Sequence, residues 1–362
     1  MSRFFAALFL VGAVAASSVA VAQDSETFIK PGLLFQGRWD VKEDGNPKGD
    51  GFGNDLYIKR TRFILTGGLT KYIKFFAETD ISPSSAVDGK PALFLQDAVV
   101  SLQFTDKMFL DIGLVLPSFS HHNKQGATSL FGLDYMNFYS AGFPVGLVWR
   151  DVGAEFRATF LDKINVRLGM YQGVRGTHGD ADPLNPSDIP RFVLRATYNF
   201  FDVEDGIFYG GIHHGKKKIL SVGVAADIQP DSIRDKDGKT ALYKAFAADV
   251  YVDYPMNDAL EIVGQLNFLY FDRGYDGANY MAGSGMGAIL EGGFRWNQFG
   301  PMVAVEWFDH KDSDDNTMNF KVGGAYWLKG NNANFKLEYG SMSFKGADRT
   351  SQLLLQFQFL YL

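Results

Sequence analysis

The feature that most constrains this chain is a two-residue alternation running from one end to the other. In "RFVLRATYNF", Arg191, Arg195 and Thr197 share one parity, and Phe192, Leu194, Ala196 and Tyr198 share the other. "VGAEFRATF" sets Glu155, Arg157 and Thr159 against Val152, Ala154, Phe156, Ala158 and Phe160. "NVRLGMYQ" sets Asn165, Arg167 and Tyr171 against Val166, Leu168 and Met170. "LLFQGRWDV" and "ANFKLEYG" keep the same pattern, with Gln36, Arg38 and Asp40, then Asn334, Lys336 and Glu338, on the polar side. Successive side chains of a strand point to opposite faces, whereas a helix repeats every ~3.6 residues. These segments predict strands with one oily face and one wet face.

An ordinary soluble sheet could turn its wet face to water, so composition has to decide. Aromatics make up 15% of the chain and charged residues 21%, with 40 glycines, 33 phenylalanines and 12 prolines. Beyond the N-terminal segment there is no apolar run of the ~20 residues that a membrane helix needs. Dense aromatics without long apolar runs fit a transmembrane barrel, whose strands alternate lipid-facing and lumen-facing residues. The first 22 residues, "MSRFFAALFLVGAVAASSVAVA", have a basic start, an apolar stretch and a small-x-small end, which predicts a cleaved signal peptide at 1–22 and a barrel over 23–362. There is no cysteine, so stability in an oxidising compartment has to come from something other than disulfides. A formal net charge of -6 with no basic tail argues against nucleic-acid binding.

Loop lengths alternate too. Tight connections ("LTK" at 69–71, "TDK" at 105–107, "LDK" at 161–163, "KGNN" at 329–332) are separated by long polar ones at 42–54, 175–188 and 272–287. Short turns at the periplasmic rim and long loops outside are the habit of outer-membrane barrels. The last segment, "SQLLLQFQFLYL", puts Gln352, Gln356 and Gln358 opposite Leu353, Leu355, Phe357, Phe359 and Tyr361, as a closing strand requires. The expected fold class is therefore all-β: a transmembrane antiparallel β-barrel with a long loop folded into the lumen. Sixteen strands are expected if 206–229 is one strand with a folded lead-in, and eighteen is the alternative count.

In "DLYIKRTRFILTGGLTKYIKFFAETD", Arg60 and Arg62 fall on one parity. An Arg facing lipid at mid-membrane costs ~2–4 kcal/mol, so both are expected to face the lumen. The same reasoning sends Arg38, Arg157, Arg167, Arg191, Arg195 and Lys336 inward, where basic side chains bias a pore toward anions. Asp40, Glu78, Asp80, Asp97, Asp111, Asp151 and Glu155 share that face, so the alternative is a wall of paired struts. Residues 119–148, "FSHHNKQGATSLFGLDYMNFYSAGFPVGLV", carry Phe119, Phe131, Tyr135, Phe138, Tyr139 and Phe143, too many aromatics for a simple external loop. We expect this segment to be the constriction loop, with His121, His122, Lys124, Asp134 and Tyr135 as its candidate site residues.

The hairpin "IKRTRFILTGGLTKYIKFFAETD", the strand "LDIGLVLPSFS" leading into a long loop, and "GKKKILSVGVAADIQ" followed by "YKAFAADVYVDYPM" resemble the phosphate-selective porin O and P family in order and over nearly all of the mature chain. The resemblance implies a sixteen-stranded trimeric porin that passes small solutes, inorganic anions foremost, and a barrel of the outer membrane is expected to contact its lipid and lipopolysaccharide. It departs from that pattern in the loop, where Lys124 with His121 and His122 are the only basic side chains between Pro117 and Val148. No phosphate site is carried over, although phosphate stays a candidate solute. Nothing in the sequence implies a cofactor. The pairs His121–His122 and His213–His214 lack a fixed ligand set for metal, "DKDGK" at 235–239 and "HKDSDDN" at 310–316 lack calcium-loop spacing, and "GKKK" at 215–218 reads as a basic turn. A barrel hydrolase would need a nucleophile and a base on one strand face, and no such pair can be placed. A general porin without anion preference and a structural or adhesive barrel are the remaining alternatives.

Overall fold

A computed structural model of the chain describes residues 27–81, 92–136, 149–274, 284–311, 316–343 and 348–362. The expected signal peptide and the part of the expected constriction loop holding Phe138, Tyr139 and Phe143 lie outside these residues. Among the described residues the chain forms sixteen strands, each hydrogen-bonded to its sequence neighbours, and β1 closes on β16. They are β1 Phe28–Lys42, β2 Gly53–Thr70, β3 Ile73–Ile81, β4 Leu93–Thr105, β5 Met108–Val115, β6 Asp151–Phe160, β7 Ile164–Tyr171 and β8 Arg191–Asn199. The second half comprises β9 Ile219–Arg234, β10 Thr240–Pro255, β11 Leu260–Asp272, β12 Gly285–Trp296, β13 Phe299–His310, β14 Asn316–Lys329, β15 Ala333–Ser343 and β16 Thr350–Tyr361. Every pairing is antiparallel, and closure runs from Leu33 opposite Tyr361 to Lys42 opposite Gln352. Closure satisfies every edge, which is what allows a sheet to sit in hydrocarbon.

The alternation read from sequence is the alternation of the wall. Phe63, Leu168, Leu194, Val224, Phe268, Leu290, Val303 and Leu337 are exposed on the outer surface, while Arg62, Arg167, Arg195, Asn267 and Lys336 are buried inside. At the rim of tight turns, Tyr72, Phe104, Phe160, Phe200, Trp296, Phe299 and Tyr361 form an exposed outer ring. Aromatics of this kind mark the interface between hydrocarbon and headgroups. No helix among the described residues is long and apolar enough to cross a membrane.

Two segments leave the wall for the interior. After β5, residues 116–136 run inward and are almost wholly buried, including one short helix, α1 His121–Lys124, capped by Ser120 through a reciprocal bond with Asn123. The His121–His122 pair of the expected constriction loop thus sits on one helical turn. The second segment is 200–218, between β8 and β9, at the rim where the other described connections are tight. It is the folded lead-in of the sixteen-strand count, and the expected basic turn at 215–218 is simply its exit.

Candidate pore lining

The wall arginines and their acids form a ladder. Arg62, on β2, reaches Glu78 at 2.5 Å and Asp80 at 2.8 Å on β3. Arg157 on β6 meets Asp111 on β5 at 2.7 Å, and Arg167 on β7 meets Glu155 at 3.0 Å. Arg191 on β8 grips Asp227 on β9 with two nitrogens at 2.8 and 2.5 Å, and Arg195 grips Asp249 on β10 at 2.6 and 2.8 Å. Two-pronged pairs of this kind fix geometry as well as charge, because the planar guanidinium matches the carboxylate. Lys336 instead donates to the carbonyls of Leu130 and of Gly132, the latter at 2.8 Å, and so ties β15 to the inserted loop.

Arg38 and Arg60 behave differently. Both donate to Asp134 of the loop, at 2.6 and 3.1 Å, and Lys59 joins them at 3.2 Å. Lys59 has the wrong parity for the lumen and was not expected there. The β1–β2 register slips at this point, with Gln36 opposite Arg60 and Gly37 opposite Ile58, so Lys59 is the extra residue of a bulge. A bulge puts two consecutive residues against one and re-aims a side chain. Strict alternation cannot foresee it. Here three cations surround one carboxylate, and the Lys59 side chain keeps 22% of its surface open and Asp134 20%, against 1% for Arg167.

The other loop residues are engaged internally. Lys124 donates to the carbonyl of Leu116 at 2.7 Å and to Glu155 at 3.2 Å. Burial pushes its ammonium down to about 8, with Glu155 partly offsetting that. His122 is held down to about 3 by burial and by the charges of Lys321 and His121, and its ring accepts from the Met136 backbone N–H at 3.1 Å. Burial alone would raise Asp134, but Arg38, Lys59 and Arg60 outweigh it and hold the carboxyl well below its usual range. Tyr135 donates to the Gln125 carbonyl at 2.5 Å, and burial pushes its phenol up. His121 shares a 2.7 Å contact with Glu204 of the 200–218 segment and stacks on Tyr251 at 3.7 Å.

The sequence reading overlooked Arg150, which clasps Asp97 at 2.7 and 3.0 Å, and Glu204, which gathers His121 and the already noted His213 around it. Glu204 accepts from the Gly210 backbone N–H at 2.7 Å and lies 3.2 Å from His213, which also bonds Asp253 at 2.8 Å. A signal was there: "GIFYGGIHHG" breaks the two-residue alternation, yet it places aromatics and a histidine pair where a short turn belongs. Among the described residues no group of three or more His, Asp or Glu is arranged to hold a metal.

No family model matches the chain, and no curated protein matches it. Solved structures do. An anion-selective porin from Comamonas acidovorans aligns over 93% of this chain and 100% of its own at 14% identity and TM-score 0.60. The outer-membrane channel DcaP of Acinetobacter baumannii covers 94% and 99% at 11% identity and TM-score 0.59. OmpT of Vibrio cholerae, described as an outer membrane protein in trimer form, covers 93% and 100% at 8% identity and TM-score 0.54. At these identities the likeness is one of fold: this chain shares the closed outer-membrane barrel.

Proposed function

We propose that the protein is an outer-membrane channel, exported by its N-terminal signal, through which small hydrophilic solutes diffuse passively, with small inorganic anions favoured. Its solutes move down their gradients without cofactor or covalent chemistry. The observation that carries the anion preference is the cluster of Arg38, Lys59 and Arg60 around Asp134, where three cations face one carboxylate and Lys59 keeps 22% of its side chain open. Exposed charge on a pore wall tunes selectivity, whereas buried, paired charge serves mainly to hold the wall. The porin and channel neighbours support the passive-diffusion reading, and the trimeric neighbour supports assembly as a homotrimer within lipid and lipopolysaccharide. Phosphate is the narrower candidate suggested by the family resemblance; the lysine of the loop is already engaged by Glu155, so it lends phosphate no support.

One observation favours the general-porin alternative: Asp134, at the centre of the basic cluster, keeps 20% of its own side chain open. The reversal potential of the purified protein in a planar bilayer under a KCl gradient separates the two. The expected result is an anion-selective potential that falls toward zero in Lys59→Ala/Arg60→Ala. A cation-selective potential, or one indifferent to the double substitution, would replace the anion reading with the general porin.

A further inference from the structure

Residues 200–218 do not merely connect β8 to β9; they cross the barrel. Toward one wall, Phe208 meets Phe76 of β3 edge-on at 5.5 Å and lies under the Arg150 guanidinium at 5.8 Å. Ile207 packs against the cluster of Val99, Val115, Tyr171 and Val193 from β4, β5, β7 and β8. Toward the opposite wall, Ile212 joins the apolar cluster lining β9 to β14, and Gly215 donates to Glu261 of β11 at 2.8 Å. Arg167 supports the middle from below, donating to the Gly206 carbonyl at 2.7 Å and to the Tyr209 hydroxyl at 3.0 Å.

This crossing segment is joined to the inserted loop by backbone. Tyr209 donates to the Lys124 carbonyl and accepts from the Gly126 N–H, both at 2.9 Å, forming a parallel bridge between Gln125 and Tyr209. Gly211 donates to Ser129 Oγ at 3.2 Å, and a Cβ at that position would lie 2.5 Å from the Ser129 carbonyl oxygen. Only glycine fits so close an approach of two backbones. Side chains complete the joint: Glu204 takes His121 of the loop at 2.7 Å and His213 of its own segment at 3.2 Å.

We propose that residues 204–213 are a second constriction element, a strap entering from the tight-turn rim, and that the pore's cross-section is set where this strap touches the loop. The proposal rests on the channel reading and assigns specificity within it: the size limit on small hydrophilic solutes belongs to two insertions from opposite rims acting as one surface. The strap occupies the middle of the lumen, whereas a tight turn at the same place would leave that volume open.

The absence of native cysteine makes a direct test possible. Gly206 is exposed, has ordinary backbone geometry, and a Cβ there would approach only the Phe208 backbone. In Gly206→Cys, reaction with a bulky methanethiosulfonate, verified by mass, is expected to cut single-channel conductance by about half or more, as added bulk at a constriction should. The same reagent should leave the wild type unchanged. Gly211→Val, checked for a folded barrel by its heat-shifted migration on a gel, is expected to lever strap from loop and raise conductance about twofold. A conducting wild type, with Gly206→Cys fully modified and its current unaltered, would overturn the strap proposal and leave the channel reading intact. A wild type that passes no current would overturn the channel reading itself, and the strap's role in it.

Discussion

The two halves of the lumen wall are built by different chemistry. From β1 to β8, the inward arginines are locked onto carboxylates of an adjacent strand: Arg62 on Glu78 and Asp80, Arg157 on Asp111, Arg167 on Glu155. From β9 to β14, apolar and aromatic side chains point inward beside the polar ones, among them Tyr243, Tyr251, Leu269, Phe271, Ile289, Phe308 and Trp327. The loop divides itself accordingly. Its aromatics, Phe119 and Phe131, pack on the oily half, while Asp134 reaches the basic cluster on β1 and β2. A loop seated by hydrophobic burial on one side and by charge on the other has a defined position across the lumen.

Breaking the rung that joins the charged half to the oily one should have the largest effect. In Asp249→Asn, the Arg195 guanidinium stays buried without its carboxylate, and an uncompensated buried charge costs about 3–5 kcal/mol. Urea unfolding of the refolded barrel in detergent should register that loss. Replacing both partners, Arg195→Met with Asp249→Leu, should recover most of it, since a buried pair often contributes little over a packed apolar pair. A single substitution that costs less than ~1 kcal/mol would mean Arg195 is solvated by a water-filled pore, and the contrast between the halves would shrink to one of wetness.

Next in size is the oily half. Phe131 is buried, stacks on Trp327 at a ring separation of 6.1 Å, and lies against Gly293 of β12. Phe131→Ala should cost about 3 kcal/mol, the low end of the large-to-small range, because the loop can undock locally before the barrel opens. Limited proteolysis within 116–136 should accelerate while the barrel core stays resistant. If cleavage is no faster, the charged contacts at Asp134 seat the loop without help from the oily wall.

How much of this could be read in advance follows from range. Strand faces are a local property: Arg38, Arg62, Arg157, Arg167, Arg191, Arg195 and Lys336 are buried inside because period two fixes their side. The bulge at Lys59 depends on the register between two strands, which no single strand encodes. Which carboxylate each arginine takes is likewise a matter of stagger between neighbours. The strap was least legible. Its sequence has no period, and its path is dictated by contacts as far apart in the chain as Phe76 with Phe208 and Ser129 with Gly211.

The smallest effect expected is a pH dependence at the joint between the halves, and its sign follows from His213. Burial would lower this imidazole, but bonds to Asp253 and Glu204 outweigh it and raise the group to about 9. Glu204 answers in kind: burial would raise it, yet His121 and His213 hold it well below the usual carboxylate range. Tyr251 contributes the facing ring, and Lys216 lines the adjacent cavity of about 610 Å³ with His213. A group whose pKa is raised by folding stabilises fully below its unfolded value, ~6.5 for histidine, and loses that contribution as pH climbs through the folded value. The strap should therefore be seated firmly at neutral pH and loosen between pH 7 and 9. Single-channel recordings should show conductance rising and growing noisier over that window, and His213→Gln should flatten the response while keeping the barrel folded. Asp134 carries the opposite sign, because its depressed carboxyl stabilises the loop at neutral pH and loses that contribution only in strong acid. An alkaline rise that survives His213→Gln would assign the titration to another group at the joint, such as Lys124 of the loop, whose ammonium is pushed down to about 8, whereas its disappearance would place the titrating contact where the strap meets the oily half of the wall.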